Sequence, residues 1–231
     1  MKLMVITGAS VGIGLATARC FAQDGFTVVN LSRRKCPLDL VTQMNCDLSA
    51  PGFLDTVSPQ LTPMLDQAEQ ITLIHNASRL ENDSAVETPS NQFREVMEVN
   101  LVAPNSLNYL TIPFMHAGSS ILYVGSTLGE KAVPGSYTYV VSKHAMIGMM
   151  RATCQDLAGR QIHTACICPG FTDTEMLRQH VPEDAMDSVR AMSAFGRLID
   201  PVEIAETLHW AAHHPVINGA VLHANLGQVE S

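Results

Sequence analysis

Residues 2–25 read KLMVITGASVGIGLATARCFAQDG, and this stretch decides the fold. Lys2 to Thr7 form a short apolar run. Gly8, Gly12 and Gly14 follow with the spacing Gly-x-x-x-Gly-x-Gly, and the next ten residues place apolar side chains at helical intervals until Gly25. Strand, glycine turn and helix in that order suit a nucleotide. The glycines let the backbone turn tightly and approach a pyrophosphate, whose charge is stabilised at the helix N-terminus. Gly8, Ser10, Gly12, Ile13 and Gly14 are the expected contacts.

The same alternation continues along the chain. Strands are predicted at 2–7, 26–31, 71–75, 119–125, 162–168 and 219–224, with a weaker one near 42–46. Helices are predicted near 12–24, 51–67, 90–116, 137–158 and 201–213. Alternating strands and helices predict an α/β fold: a doubly wound, Rossmann-type parallel sheet with helices on both faces, spanning 1–231 as a single domain. The linker after the second strand is short, which predicts one crossover without a full helix. Residues 171–199, carrying Met176, Met186 and Met192, leave the end of a strand where such sheets bind ligands, and are read as a substrate lid.

Composition bounds the function. At 231 residues and 46% hydrophobic, the chain can bury a large core. A net charge of −8 argues against a nucleic-acid partner, whose binding draws on Lys and Arg. No apolar run is long enough for a membrane span, and the N-terminus enters a strand at once, so a cytoplasmic location is expected. The six cysteines lack any Cys-x-x-Cys pair, and Cys166 and Cys168 alternate on one predicted strand face as core. His209 and His213 lie four apart on a predicted helix and could share a metal, but no third ligand is apparent nearby. They are read as serving the helix C-terminus, and no metal is expected.

The chemistry lies in YVVSK, with Ser126 upstream. On a helix, Tyr139 and Lys143 share a face, and a nearby ammonium favours the charged form of a phenol. Tyr139 is then a candidate general acid and base for a carbonyl oxygen, and Ser126 a hydrogen-bond donor to the same atom. Tyr137 lies off that face and is read as a pocket wall.

In chain order the sequence carries TGASVGIG (Thr7–Gly14), CDL with Asp47, HNAS with Asn76 and Ala77, VNL with Asn100, VGS with Ser126, YVVSK, and CPGFTDT (Cys168–Thr174). This ordered set resembles the short-chain dehydrogenase/reductase family. The resemblance implies a catalytic tetrad of Ser126, Tyr139, Lys143 and Asn100, with Asn100 and a bent backbone holding a water. It further implies that Lys143 bonds the nicotinamide ribose, that Asp47 accepts from the adenine amino group, and that Pro169, Gly170, Thr172 and Thr174 surround the nicotinamide. It also implies a homodimer or homotetramer packed along the 137–158 helix. Two positions depart from the family pattern. His75 and Ser78 flank Asn76 and Ala77 where Asn and Gly are usual, and Leu226-Gly227 replaces a Gly-Gly.

Cofactor choice is read at the end of the second strand. An acid there would bond a free ribose 2′-hydroxyl, but the sequence offers Ser32, Arg33 and Arg34, which suit a 2′-phosphate. The expectation is an NADP(H)-dependent oxidoreductase acting on a small-molecule carbonyl or alcohol substrate. The alternative is a nucleotide-sensing or scaffold protein that keeps the fold without turnover.

Overall fold

The chain places seven parallel strands side by side in a computed structural model that describes residues 1–228. They are β1 (Lys2–Thr7), β2 (Thr27–Ser32), β3 (Val41–Asn45), β4 (Gln70–His75), β5 (Ser120–Val124), β6 (His163–Pro169) and β7 (Ala220–Ala224). The spatial order is β3-β2-β1-β4-β5-β6-β7. Each predicted strand end falls within one residue of the observed one, because runs such as LMVI and ILYV are apolar on both faces and must be covered on both.

Two apolar layers do the covering. On one face α2 (Phe53–Asp66), α4 (Ala103–Thr111) and α5 (Tyr137–Asp156) bury Phe53, Leu61, Leu107, Met146 and Met150 against the sheet. On the other, α1 (Gly12–Gln23) and α8 (Pro201–Ala212) bury Ala18, Phe21, Ile204 and Leu208. Asp200 starts α8 with a capping box: its carboxylate accepts from the first turn while Glu203 accepts from the Asp200 N–H. Between β2 and β3 the chain crosses without a helix, as the short linker predicts.

The structure corrects one expectation about the helices. The predicted 90–116 helix is interrupted: α3 (Ser90–Met97) passes through a π-helical turn at Glu98–Val102 before α4, and a 3₁₀ turn (Ile112–Phe114) ends it. Residues 171–199 contain α6 (Glu175–His180) and α7 (Met186–Ala191), tied at their base by a bridge between Thr172 and Ile199. At Leu226 the backbone takes φ 51°, a left-handed value that a Gly-Gly would adopt without the Cβ penalty.

His75 ends β4 and points into the core, not toward the edge where the strands end. It is 1% exposed, its Nε2 lies 2.8 Å from Asn108 Oδ1, and Asn108 Nδ2 donates to the Tyr123 hydroxyl. Asn108 accepts, so His75 donates from Nε2 and its buried Nδ1 is left without a partner among the described residues. Burial holds its pKa down at about 4. Between that value and 6.5 the unfolded chain binds a proton that the folded one does not, so stability falls as pH drops through this window. The full contribution is on the order of 3 kcal/mol. We expect His75→Gln to flatten the decline in denaturation midpoint between about pH 6.5 and 4, read by urea titration at several pH values; an unchanged slope would refute the assignment.

Candidate active site

Parallel pairing brings the carboxyl ends of β1, β4, β5 and β6 to one edge, and a cavity of about 1410 Å³ opens there. Its floor begins at the glycine turn after β1. Gly8 and Gly12 have φ of 74° and 55°, and a Cβ on Gly14 would sit 2.3 Å from the Gly8 carbonyl oxygen. Asn76, leaving β4, donates from its side chain to the Thr7 and Gly8 carbonyls, while the N–H groups of Asn76 and Ala77 donate to Thr7 Oγ1. The turn is thereby fixed to the neighbouring strand, and the N-terminus of α1 faces the cavity. That cradle fits a dinucleotide: it gives a close backbone approach and a helix N-terminus for the diphosphate.

Beside it, the buried Asn30 accepts from the Ala9 N–H through Oδ1 and donates through Nδ2 to Ser32 Oγ and Gln43 Oε1. Ser32 in turn donates to the Arg34 carbonyl at 2.6 Å. Arg33 is exposed at the rim. Arg34 is paired at 2.9 Å with Glu175, 141 residues away at the start of α6. Asp47 also lines the cavity, and its Oδ1 accepts from Ser49 N and Oγ, bonds that hold its carboxyl below the usual range with help from Arg33 and Arg79. Next to it, burial and then the Asp47 charge push the Cys46 thiol up to about 11, which keeps it protonated at neutral pH.

Ser126, Tyr139 and Lys143 line the same cavity. Ser126 follows β5 in extended backbone and accepts the Leu128 N–H at 3.1 Å, which leaves its own hydroxyl proton available to donate. Lys143 is 1% exposed; its Nζ donates to the Val124 carbonyl at 2.8 Å and lies 5.3 Å from the Tyr139 ring centroid. Behind them, Cys166 and Cys168 stand 3.8 Å apart on one buried face of β6, so near Gly125 that a Cβ there would meet both sulfurs. The Cys166 thiol and the Ser126 N–H lower the Cys168 pKa, while the shared hydrogen bond and burial raise that of Cys166.

Asn100 does not line the cavity with its side chain. It lies in the π turn, fully buried, and brackets Arg79: its Oδ1 accepts the Arg79 N–H at 2.7 Å and its Nδ2 donates to the Arg79 carbonyl and to Ser142 Oγ. Both Nδ2 protons are spent on protein groups, so the side chain can meet a water only through the second lone pair of Oδ1, beside the backbone of the π turn. Pro169 and Gly170 end β6, with Gly170 close against Asn225. Thr172 donates to the Gly170 carbonyl, and Thr174 caps α6 by accepting the Leu177 N–H; both also line the cavity. Ser78 lines it as well, with a buried hydroxyl that has no partner among the described residues. Tyr137 is not a pocket wall: it is 38% exposed and packs against Phe93 outside the cavity.

Several positioning groups left no mark in the sequence. Asp83 accepts from both the N–H and the hydroxyl of Thr138 at the first turn of α5 and so fixes the helix that carries Tyr139. His180, on α6, spans the cavity mouth, its ring nitrogens 2.8 Å from the Met176 carbonyl and 3.0 Å from the Leu80 carbonyl.

A family model described as short chain dehydrogenase matches residues 2–185. The 3-oxoacyl-(acyl-carrier-protein) reductase of Thermotoga maritima is 30% identical over 225 residues, covering 91% of this chain and 90% of that protein. Among solved structures, the aldohexose dehydrogenase of Thermoplasma acidophilum, in ligand-free form, is similar with a TM-score of 0.90 at 25% identity, over 98% of this chain and 93% of that one. An angucycline C-6 ketoreductase with bound NADP is similar with a TM-score of 0.87 at 26% identity, over 98% and 95% of the two chains.

The glycine turn can be tested without a substrate. Gly14→Ala places a methyl against the Gly8 carbonyl and the Asn76 amide, neither of which can yield without breaking the turn. A loss of about 1–3 kcal/mol in unfolding free energy is expected, read by denaturant titration. An unchanged midpoint would show that the turn is looser than this packing implies.

Proposed function

We infer the function from one premise: the chain belongs to the short-chain dehydrogenase family. On that basis it is an NADP(H)-dependent oxidoreductase that interconverts a ketone or aldehyde and its alcohol. The observation that carries this reading is that Ser126, Tyr139 and Lys143 line one cavity with the glycine turn. When bound, the nicotinamide supplies the hydride that reaches the carbonyl carbon. Tyr139 gives a proton to the oxygen as negative charge develops there, and Ser126 donates a hydrogen bond to the same oxygen. Lys143, anchored on the Val124 carbonyl, fixes the Tyr139 side and reaches the ribose hydroxyls. Asn100 acts through others: it holds the Arg79 loop and the first turns of α5 in place.

Residues 171–199 serve as the lid. Met176, Leu177 and Met192 present apolar surface to the cavity, which favours a substrate with an apolar body beside its carbonyl. Thr172 and Thr174 flank the nicotinamide from the base of this segment. Ala145, Gly148 and Ala152 lie exposed on α5 at helical spacing, which suits close packing against a second copy in a closed homodimer or homotetramer. The single domain works in the cytoplasm.

The reading of NADP(H) over NAD(H) rests on Arg33 and Arg34. Arg34 would exchange the Glu175 carboxylate for a 2′-phosphate. That exchange is inexpensive, because an exposed pair of this kind contributes only about 0–1 kcal/mol.

Two experiments follow. Tyr139→Phe should lower turnover by roughly 10²–10⁴-fold on any carbonyl substrate the protein reduces, while leaving NADPH affinity unchanged. Retention of more than about one part in a hundred of the activity would remove Tyr139 from the acid role. Arg33→Ala with Arg34→Ala should weaken NADPH by about 1.5–3 kcal/mol per lost charge-assisted bond and spare NADH, whereas Glu175→Gln should tighten NADPH by freeing Arg34. Equal losses for both cofactors, measured by fluorescence titration at fixed salt, would contradict the phosphate clamp.

A further inference from the structure

At the opposite edge of the molecule from the cavity, α1 and α8 end side by side. Asp24 is the residue that closes α1, and His213 the residue that closes α8, with His209 one turn earlier. The Asp24 Oδ2 lies 3.2 Å from His209 Nε2 and 3.7 Å from His213 Nε2, and one ligand atom from each of the three residues falls within 4.8 Å of the others. Two nitrogens and an oxygen bound to one tetrahedral zinc ion stand about 3.3 Å apart, so these separations already bracket the bound geometry. The sequence offered only the histidine pair; the third ligand comes from 185 residues away.

The local chemistry prepares the set for a cation. His213 Nδ1 lies 2.8 Å from the His209 carbonyl, which can only accept, so this nitrogen carries a proton and, in the neutral ring, the Nε2 lone pair is on the side of Asp24. A lone pair facing a carboxylate is an arrangement that a cation between them relieves. The C-terminal ends of two helices converge on the same point, and each adds partial negative charge. Glu206 and Asp24 both act on Cys20 nearby, adding to the negative potential. The rings are also held. Phe21 meets His209 edge-on at 5.0 Å, and Phe26 meets His213 edge-on at 5.9 Å.

We propose that Asp24, His209 and His213 form a binding site for a divalent transition-metal ion of the zinc class, with the fourth position open to water. Two neutral imidazoles and one carboxylate are a borderline-soft donor set, suited to zinc, cobalt or nickel rather than to magnesium or calcium. The ion clips the end of the helix that leaves the glycine turn to the end of α8. All three side chains are partly exposed, so it can enter from solvent. The site does not depend on the proposed redox chemistry, since α1 is twelve residues, about 18 Å, long and only its other end faces the cavity.

The test uses the full chain without an affinity tag. Zinc is added in calorimetry, and cobalt is added while its visible absorption is followed. We expect one ion per chain, a rise in thermal midpoint with zinc, and at least about tenfold weaker binding in each of Asp24→Asn, His209→Ala and His213→Ala. Cys20→Ser should bind as the unaltered chain does. Circular dichroism of each variant without metal checks that it is folded, and a variant that is not folded is replaced by His209→Gln or His213→Gln. No saturable binding at one ion per chain, or binding that survives in His213→Ala, would overturn the proposal and leave a proton-bridged carboxylate–imidazole cluster instead.

Discussion

Parallel pairing ends every strand of this sheet on the same edge, and the rest of the molecule follows from that. The chain runs from β1 outward to β3, then returns to place β4 on the other side of β1. The helices that follow β1 and β4 depart to opposite faces, and a crevice opens between them. The glycine turn, the Asn76 loop, Ser126 and the Pro169–Thr174 segment are all continuations of neighbouring strands across that crevice. Residues separated by more than a hundred positions therefore meet with no device other than strand register.

Walls built from irregular backbone carry a cost, because buried N–H and C=O groups need partners there as much as in a helix. This chain meets it with side-chain amides and a few hydroxyls and carboxylates. Asn76 satisfies two carbonyls of the glycine turn, Asn30 an N–H in the same turn, Asn100 both backbone groups of Arg79, and Asp83 the first turn of α5. An apolar residue at any of these places would fill space yet leave a backbone group bare, at about 1–3 kcal/mol each.

The fold was legible because its signal is local: apolar runs of strand length separated by helical periods. Among the residues lining the cavity, the glycine turn and the Tyr139–Lys143 pair were legible from spacing, whereas Asp47, Asn76 and the Pro169–Thr174 run were implied only by the family resemblance. What was not legible depends on pairs distant in sequence. Nothing near Arg34 announces Glu175, nothing near His180 announces Leu80, and the π turn at Asn100 arises from a backbone distortion that apolar periodicity does not encode. Tyr137 shows the same limit on a small scale. Its position off the Tyr139 face was correct, but only the presence of Phe93 fixes which way it leans.

The two ends of α1 carry the same logic to both edges of the sheet. A helix between parallel strands points its N-terminus toward the strand ends that form the cavity and its C-terminus toward the opposite edge. Its dipole is therefore positive where an anionic diphosphate is expected and negative where Asp24 lies. Because α8 runs alongside in the same direction, its negative end arrives at the same place. A carboxylate added there is unfavourable unless something positive accompanies it, and the two imidazoles of α8 are the groups that can supply either a proton or a metal contact. Such an accumulation of negative potential follows from doubly wound topology wherever two helices end together. What this sequence adds is the donor set that turns it toward a cation.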